Sequence, residues 1–187
     1  MKKFGLHIFL FSSFLIFFLS ACNSGDQSSD GSGGTEFDTH GQAGVVDDVS
    51  NKNILQIAIS SPDHTTLVAG VQAAELENIL VNPGPLTVFA PSNAGFDKLP
   101  EGALDELLQP ENKNKLAKII TSHAAPGTFD IKLLKNGTKI YMATGQYLDV
   151  EVKDGETYVN GSKILGTIDA SNGVVHVIDD VWLFAVK

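Results

Sequence analysis

Five histidines, one cysteine and a set of paired acids are the residues of this 187-residue chain whose types could do chemistry. His123 and His176, with Asp179 or Asp180, offer two imidazoles and a carboxylate, the donor types of a zinc site. Their separation matches no recognised metal-ligand spacing, so no metal or other cofactor is expected. Asp47-Asp48, Asp105-Glu106 and Asp179-Asp180 are carboxylate pairs adjacent in sequence. Neighbours on a helix or strand point apart, so adjacency does not place two carboxyls on one substrate; these acids read as solvated surface. Ser60, Ser61 and Ser92 lack the Gly-x-Ser-x-Gly turn that exposes a serine nucleophile. The Gly-rich residues 31–34 neither follow a strand nor open a helix, so they form no phosphate loop. Asn136-Gly137-Thr138 and Asn160-Gly161-Ser162 match the glycan acceptor pattern but read better as turns. No enzymatic constellation emerges.

His123 ends a helical period. Leu116, Ile119, Ile120 and His123 recur at i, i+3, i+4 and i+7 within Asn112–His123, with Lys113, Lys115 and Lys118 elsewhere. A charged imidazole there would suit the helix dipole, but burial opposes the charge. His123 is therefore expected to be a core histidine bonded to a neighbouring loop, with the Thr87–Asn93 segment as its partner. His176 lies among Val174, Val175 and Val177 and is expected to be structural too.

The surrounding elements divide in two. Asn53–Ser60 predicts a short helix stopped near Pro62, and Thr65–Leu80 a longer one ended by Asn82-Pro83-Gly84-Pro85. Leu86–Ala90 is a nearly all-apolar strand, followed by a turn plugged by Phe96 and Leu99. Leu104, Leu107 and Leu108 mark another short helix. Beyond Pro126-Gly127 the period becomes two. Ile140 and Met142, then Leu148, Val150 and Val152, alternate with polar neighbours. Asp154-Gly155, Asn160-Gly161 and Asn172-Gly173 supply the hairpin turns. Helices first and antiparallel strands after imply an α+β fold.

The first 21 residues read as an address. Met1-Lys2-Lys3 precedes an apolar run, Phe4–Leu19, which is short for a ~30 Å hydrocarbon core. Leu19-Ser20-Ala21-Cys22 resembles the bacterial lipobox. That resemblance implies cleavage before Cys22, diacylglyceryl transfer to its thiol and acylation of the new N-terminus. Two or more acyl chains give stable membrane attachment. Asn23, rather than Asp, follows, which by lipoprotein precedent favours the outer membrane of a two-membrane envelope. Residues 22–44 are rich in Gly, Ser and Asp and read as a flexible tether spanning roughly 25 Å. The domain proper is expected over residues 45–187. With 13 Lys, no Arg and 22 acids, the net charge is −9, which argues against nucleic-acid partners. A monomeric domain is expected.

Three segments, in order, resemble the fasciclin-like family. Thr87-Val88-Phe89-Ala90-Pro91-Ser92-Asn93-Ala94-Gly95-Phe96 resembles its first signature block. Asn114 through His123-Ala124-Ala125-Pro126-Gly127 is similar to its helix and Pro-Gly turn. Asn172-Gly173-Val174-Val175-His176-Val177-Ile178-Asp179-Asp180-Val181 resembles its C-terminal block. The resemblance implies a wedge of two small β-sheets packed with a cluster of short helices. It marks Thr87, Phe89, Pro91, Asn93, Phe96, His123, Pro126, Gly127, His176 and Asp179 as motif residues. It also implies a non-catalytic role in adhesion, with a matrix, polysaccharide or cell-surface protein partner. Some family members of microbes and algae hold apolar ligands such as carotenoids, which makes a small apolar ligand the alternative. Ser122 replaces the Tyr that precedes the family's histidine, and the usual Pro after the last strand is absent. The expected location is the bacterial envelope, extracytoplasmic and lipid-anchored.

Overall fold

The computed structural model describes residues 51–183. The expected signal segment 1–21, the expected lipidation residue Cys22 and the expected tether 22–44 lie outside the described residues.

Asn53 opens the first helix, α1 (Ile54–Ile59), with a capping box: its Oδ1 accepts the Gln56 N–H, and the Gln56 Oε1 accepts its own. Pro62–His64 forms a 3-10 turn into α2 (Thr65–Ala73). The expected helix over Thr65–Leu80 is in fact two, α2 and α3 (Glu77–Val81). The break is a Schellman arrangement. Glu75 takes a left-handed conformation (φ 54°), its N–H bonds the Gln72 carbonyl, and the Leu76 N–H bonds that of Val71. Glycine usually occupies this position. Here Glu75 does, with its carboxylate 2.6 Å from Lys113 Nζ.

Then follow β1 (Leu86–Pro91), α4 (Asn93–Phe96), α5 (Ala103–Leu107) and α6 (Lys113–Ser122). After α6 come the strands β2 (Ala124–Pro126), β3 (Lys139–Tyr141), β4 (Tyr147–Lys153), β5 (Glu156–Val159), β6 (Ser162–Ala170) and β7 (Gly173–Ile178). Two of the three expected hairpin turns fall in place, while the third is Ser171-Asn172 rather than Asn172-Gly173, because Gly173 already opens β7 opposite Ala170. Asp154 (φ 53°) and Gly155, then Asn160 (φ 51°) and Gly161, turn with positive φ at both positions.

The strand order is β2-β1-β7-β6-β5-β4-β3. The two small sheets expected from the resemblance are joined through β6 into one seven-stranded order. Ser162 and Lys163 at the start of β6 pair with β5, the strand from Ile164 onward pairs with β7, and a bulge between Ile164 and Gly166 interrupts the β6–β7 ladder. All pairings are antiparallel except one: β1 lies parallel to β7, with Phe89 opposite His176. At the far end the Ala143 N–H donates to the Ala124 carbonyl at 2.8 Å, bringing the outermost strands back toward each other.

Alternation along β1 divides the core. Phe89 points into one cluster with Ile140, Met142, Val150, Ile178 and Trp182. Val88 and Ala90 point the other way, onto Ile54, Leu55, Leu67 and Val71 of the helical layer. The α6 residues Leu116 and Ile119 join Leu107 and Val181 in a third cluster. Complete burial of Phe89 alone contributes about 2–3 kcal/mol.

Candidate functional site

The parallel register of β1 and β7 stacks Phe89 on His176, with ring centroids 5.3 Å apart and planes 24° from parallel. His176 is fully buried. Its Nε2 lies 2.7 Å from the Phe129 carbonyl and must donate to it. Its Nδ1 is then the acceptor for the hydroxyl of Thr167, the cross-strand partner on β6, at 2.9 Å. Burial lowers the His176 pKa, against smaller opposing effects from the Phe129 carbonyl, Asp130 and Asp169.

His123 ends α6 and lies in the same layer. Its ring stacks on Trp182 with centroids 4.8 Å apart and planes within 10°. The Trp182 backbone N–H donates to Nε2 at 3.0 Å, so the ring proton sits on Nδ1 and reaches the Ile119 carbonyl at 2.8 Å. Burial lowers the pKa to about 4, although the Ile119 carbonyl pulls the other way. The expected ring partner, the Thr87–Asn93 segment, is corrected here. That segment bonds His123 through main chain only, Phe89 N–H to the His123 carbonyl at 2.8 Å. The ring instead turns toward the C-terminal segment, whose Trp182 offers a flat ring face and a backbone N–H donor. Trp182 also packs on Phe89 (5.4 Å) and donates its indole N–H to Ser162 Oγ at 2.8 Å. Ser122, where the family has Tyr, is fully buried, with its hydroxyl on the Ile119 carbonyl at 2.6 Å.

The remaining motif residues hold joints. Buried Thr87 donates to the Gly127 carbonyl (2.8 Å) and accepts the Phe129 N–H (2.9 Å). Gly127 itself has φ +104°, and its N–H bonds Pro85. Pro126 ends β2 opposite Leu86, and Pro91 ends β1 opposite Ile178. Asn93 accepts the Thr66 N–H at 3.0 Å and donates to the Pro62 carbonyl at 3.0 Å, which caps α2 from a distance. Phe96 fills the space between the two helical clusters. Asp179 accepts the Lys163 N–H at 2.8 Å and lies 3.4 Å from Lys98 Nζ.

This layer brings His123 and His176 to one buried aromatic cluster but leaves Asp179 on another joint. All four ring nitrogens have protein partners. Among the described residues, no three His, Cys, Asp or Glu side chains converge to hold a metal. Sequence reasoning missed Trp182, although it is the only tryptophan and lies in an apolar run. It also missed His64, buried with Nδ1 2.8 Å from Ser61 Oγ and Nε2 without a hydrogen-bond partner. Burial lowers the His64 pKa, against Asp63 and the backbone of Ala90.

A model of the fasciclin domain matches residues 62–183. The chain belongs to the fasciclin family. It is 41% identical over 152 residues to protein sll1483 of a Synechocystis species, covering 79% of this chain and 84% of that one. It is 30% identical to the immunogenic protein MPB70 of Mycobacterium bovis, covering 74% and 72%. The fold is similar to a FAS1 domain pair from the insect cell adhesion molecule fasciclin I, with a TM-score of 0.66 at 18% identity. That likeness covers 73% of this chain and about half of the other (53%). The α+β wedge expected from the sequence is thus the fasciclin fold.

Hollows on this fasciclin domain include a cleft and a cavity beside the helical layer. An open cleft of about 710 Å³ runs between the α1 entrance, Pro83–Pro85 and the β6–β7 turn. Its amides are already committed. Asn53 caps α1, and Asn172 accepts the Ile54 N–H and donates to the Leu80 and Asn82 carbonyls. A smaller cavity of about 90 Å³ lies between the helices and the sheet, lined by Leu67, Val71, Leu80, Val88, Ile120 and Ala124 among others. Its wall is almost wholly apolar.

Proposed function

We propose that this protein is a lipid-anchored bacterial surface protein whose fasciclin domain mediates adhesion or surface contact and performs no catalysis. One observation carries the proposal: the imidazoles best suited to chemistry, His123 and His176, are sealed in an aromatic layer with every ring nitrogen engaged. Groups so placed hold a scaffold, and function falls to the exterior. The family's adhesion-type membership supports the same conclusion, as does the adhesion molecule that shares the fold. The lipobox at Cys22 supplies the anchor, and residues 23–44 the tether that holds the domain clear of the envelope.

The test has two arms. Cys22→Ser should move the protein from the membrane fraction to the soluble fraction; persistence in the membrane removes the lipid anchor. Purified protein should bind cells, matrix or polysaccharide saturably; absence of binding across that panel removes the contact function.

The apolar cavity supports a second function, the holding of a small apolar ligand. A space of this size admits the end of an aliphatic chain rather than a whole drug-sized molecule. Organic extraction of native protein should then release a lipid or pigment in constant ratio to the chain, and an empty extract removes this alternative.

A further inference from the structure

The chain has three tyrosines, and the sheet register puts all three on one face. Tyr141 of β3 lies opposite Tyr147 of β4. Tyr158 of β5 lies opposite Glu151 of β4 and Lys163 of β6. Residues opposite each other in an antiparallel ladder share a face, as do residues two apart. Ile140, Leu148, Val150 and Val159 fill the other face and are buried, so the tyrosine face is outward. Tyr141 and Tyr147 are 47% and 64% exposed, with ring centroids 5.1 Å apart. An aromatic pair left this open contributes little to the core.

The charges on this face are arranged differently from those of the chain as a whole. Lys139 pairs with Asp149 at 2.6 Å, Lys153 with Glu151, and Lys163 with Glu156 at 3.1 Å. Three lysines meet three acids, so the face is neutral within a chain of net charge −9. A neutral face gives no long-range pull on a polyanion or on an anionic lipid surface. Burying three ion pairs under a dry protein interface would carry a desolvation penalty. A hydrated partner leaves them wet, and the paired carboxylates and ammoniums still accept from and donate to hydroxyls.

We propose that the outer face of β3–β5 is a binding surface for a neutral polysaccharide, an assignment that rests on the surface-contact function above and names its partner class. Sugar rings present C–H faces, which suit the exposed phenol rings, and rims of hydroxyls, which suit the ion pairs beside them. The seven residues of β4 span about 23 Å, enough for a run of several sugar rings rather than one.

The experiment is affinity electrophoresis of the full chain in gels carrying neutral polysaccharides (a β-glucan, a dextran, a galactomannan). Alginate gels and anionic vesicles serve as charged comparisons. Wild type should be retarded by at least one neutral polysaccharide, and high salt should leave the retardation unchanged. The double variant Tyr141→Ala/Tyr147→Ala should weaken it by about tenfold or more, with its urea midpoint confirming the fold. Tyr141→Phe/Tyr147→Phe should keep most of it, because the rings remain. Retention of full binding by the Ala variant, or binding only to alginate or vesicles, overturns the proposal. If the protein binds cells or matrix protein equally with and without the tyrosines, the polysaccharide assignment falls while the contact function stands. If nothing binds at all, both fall.

Discussion

Acidification should loosen this protein through His123. The neutral ring accepts the Trp182 N–H at Nε2, and a proton on that nitrogen would set two donors against each other. The folded pKa is about 4, against 6.5 for an unperturbed histidine. The unfolded chain therefore takes up this proton first as pH falls. Stability is intact above about pH 6.5 and is lost progressively as pH falls toward 4. That gap, at about 1.4 kcal/mol per pH unit, amounts to about 3 kcal/mol. The effects on His176 and His64 have the same sign, so the contribution of His123 must be isolated. His123→Gln removes it, at a constant cost of about 2–4 kcal/mol for the lost stacking and the lost imidazole acceptor of the Trp182 N–H. Urea midpoints of both proteins, taken between about pH 7 and pH 4, give the comparison. Wild type should lose about 3 kcal/mol more than the variant across this range. Parallel curves would refute the assignment of a sealed, neutral His123.

Three further substitutions probe the joints. Gly173→Ala should abolish folding or cost more than about 4 kcal/mol by urea denaturation, because a Cβ there would lie 1.8 Å from the Leu86 carbonyl oxygen. Asn172→Ala removes three hydrogen bonds joining the β6–β7 turn to α1 and α3 and should cost about 2 kcal/mol; a change below about 0.5 kcal/mol would show those bonds to be replaceable. Glu75→Gly relieves the left-handed strain but loses an exposed pair with Lys113, so it should stabilise by up to about 1 kcal/mol. Clear destabilisation there would mean that the ion pair, not the backbone, holds the turn.

The legible parts of the fold were the local ones. Asn53 ahead of an apolar run, Asp154-Gly155 and Asn160-Gly161 carry their conformations in two or three residues, and helix and hairpins formed there. The periodicity of Leu116, Ile119 and Ile120 placed α6 and put His123 in the core. Glu75 hid the break in the Thr65–Leu80 stretch, because a glutamate in a glycine position leaves no punctuation. The parallel pairing of β1 with β7 joins residues over 80 positions apart, and no local pattern encodes it. β2 is three residues of Ala-Ala-Pro, too short for a period to register. The partner of the His123 ring was missed for a related reason. Periodicity says that a side chain faces inward, but not which distant segment arrives to meet it. The three tyrosines looked like ordinary strand residues until the register put them on one face.

The central claim is that the motif histidines are sealed scaffold and that contact is made from outside. Nitrogen-15 imidazole spectra of the native protein test it most directly. His123 should show a protonated Nδ1 and a bare Nε2, unchanged from about pH 7.5 to about pH 5. A protonation midpoint near 6.5, or a proton resting on Nε2, would contradict the account.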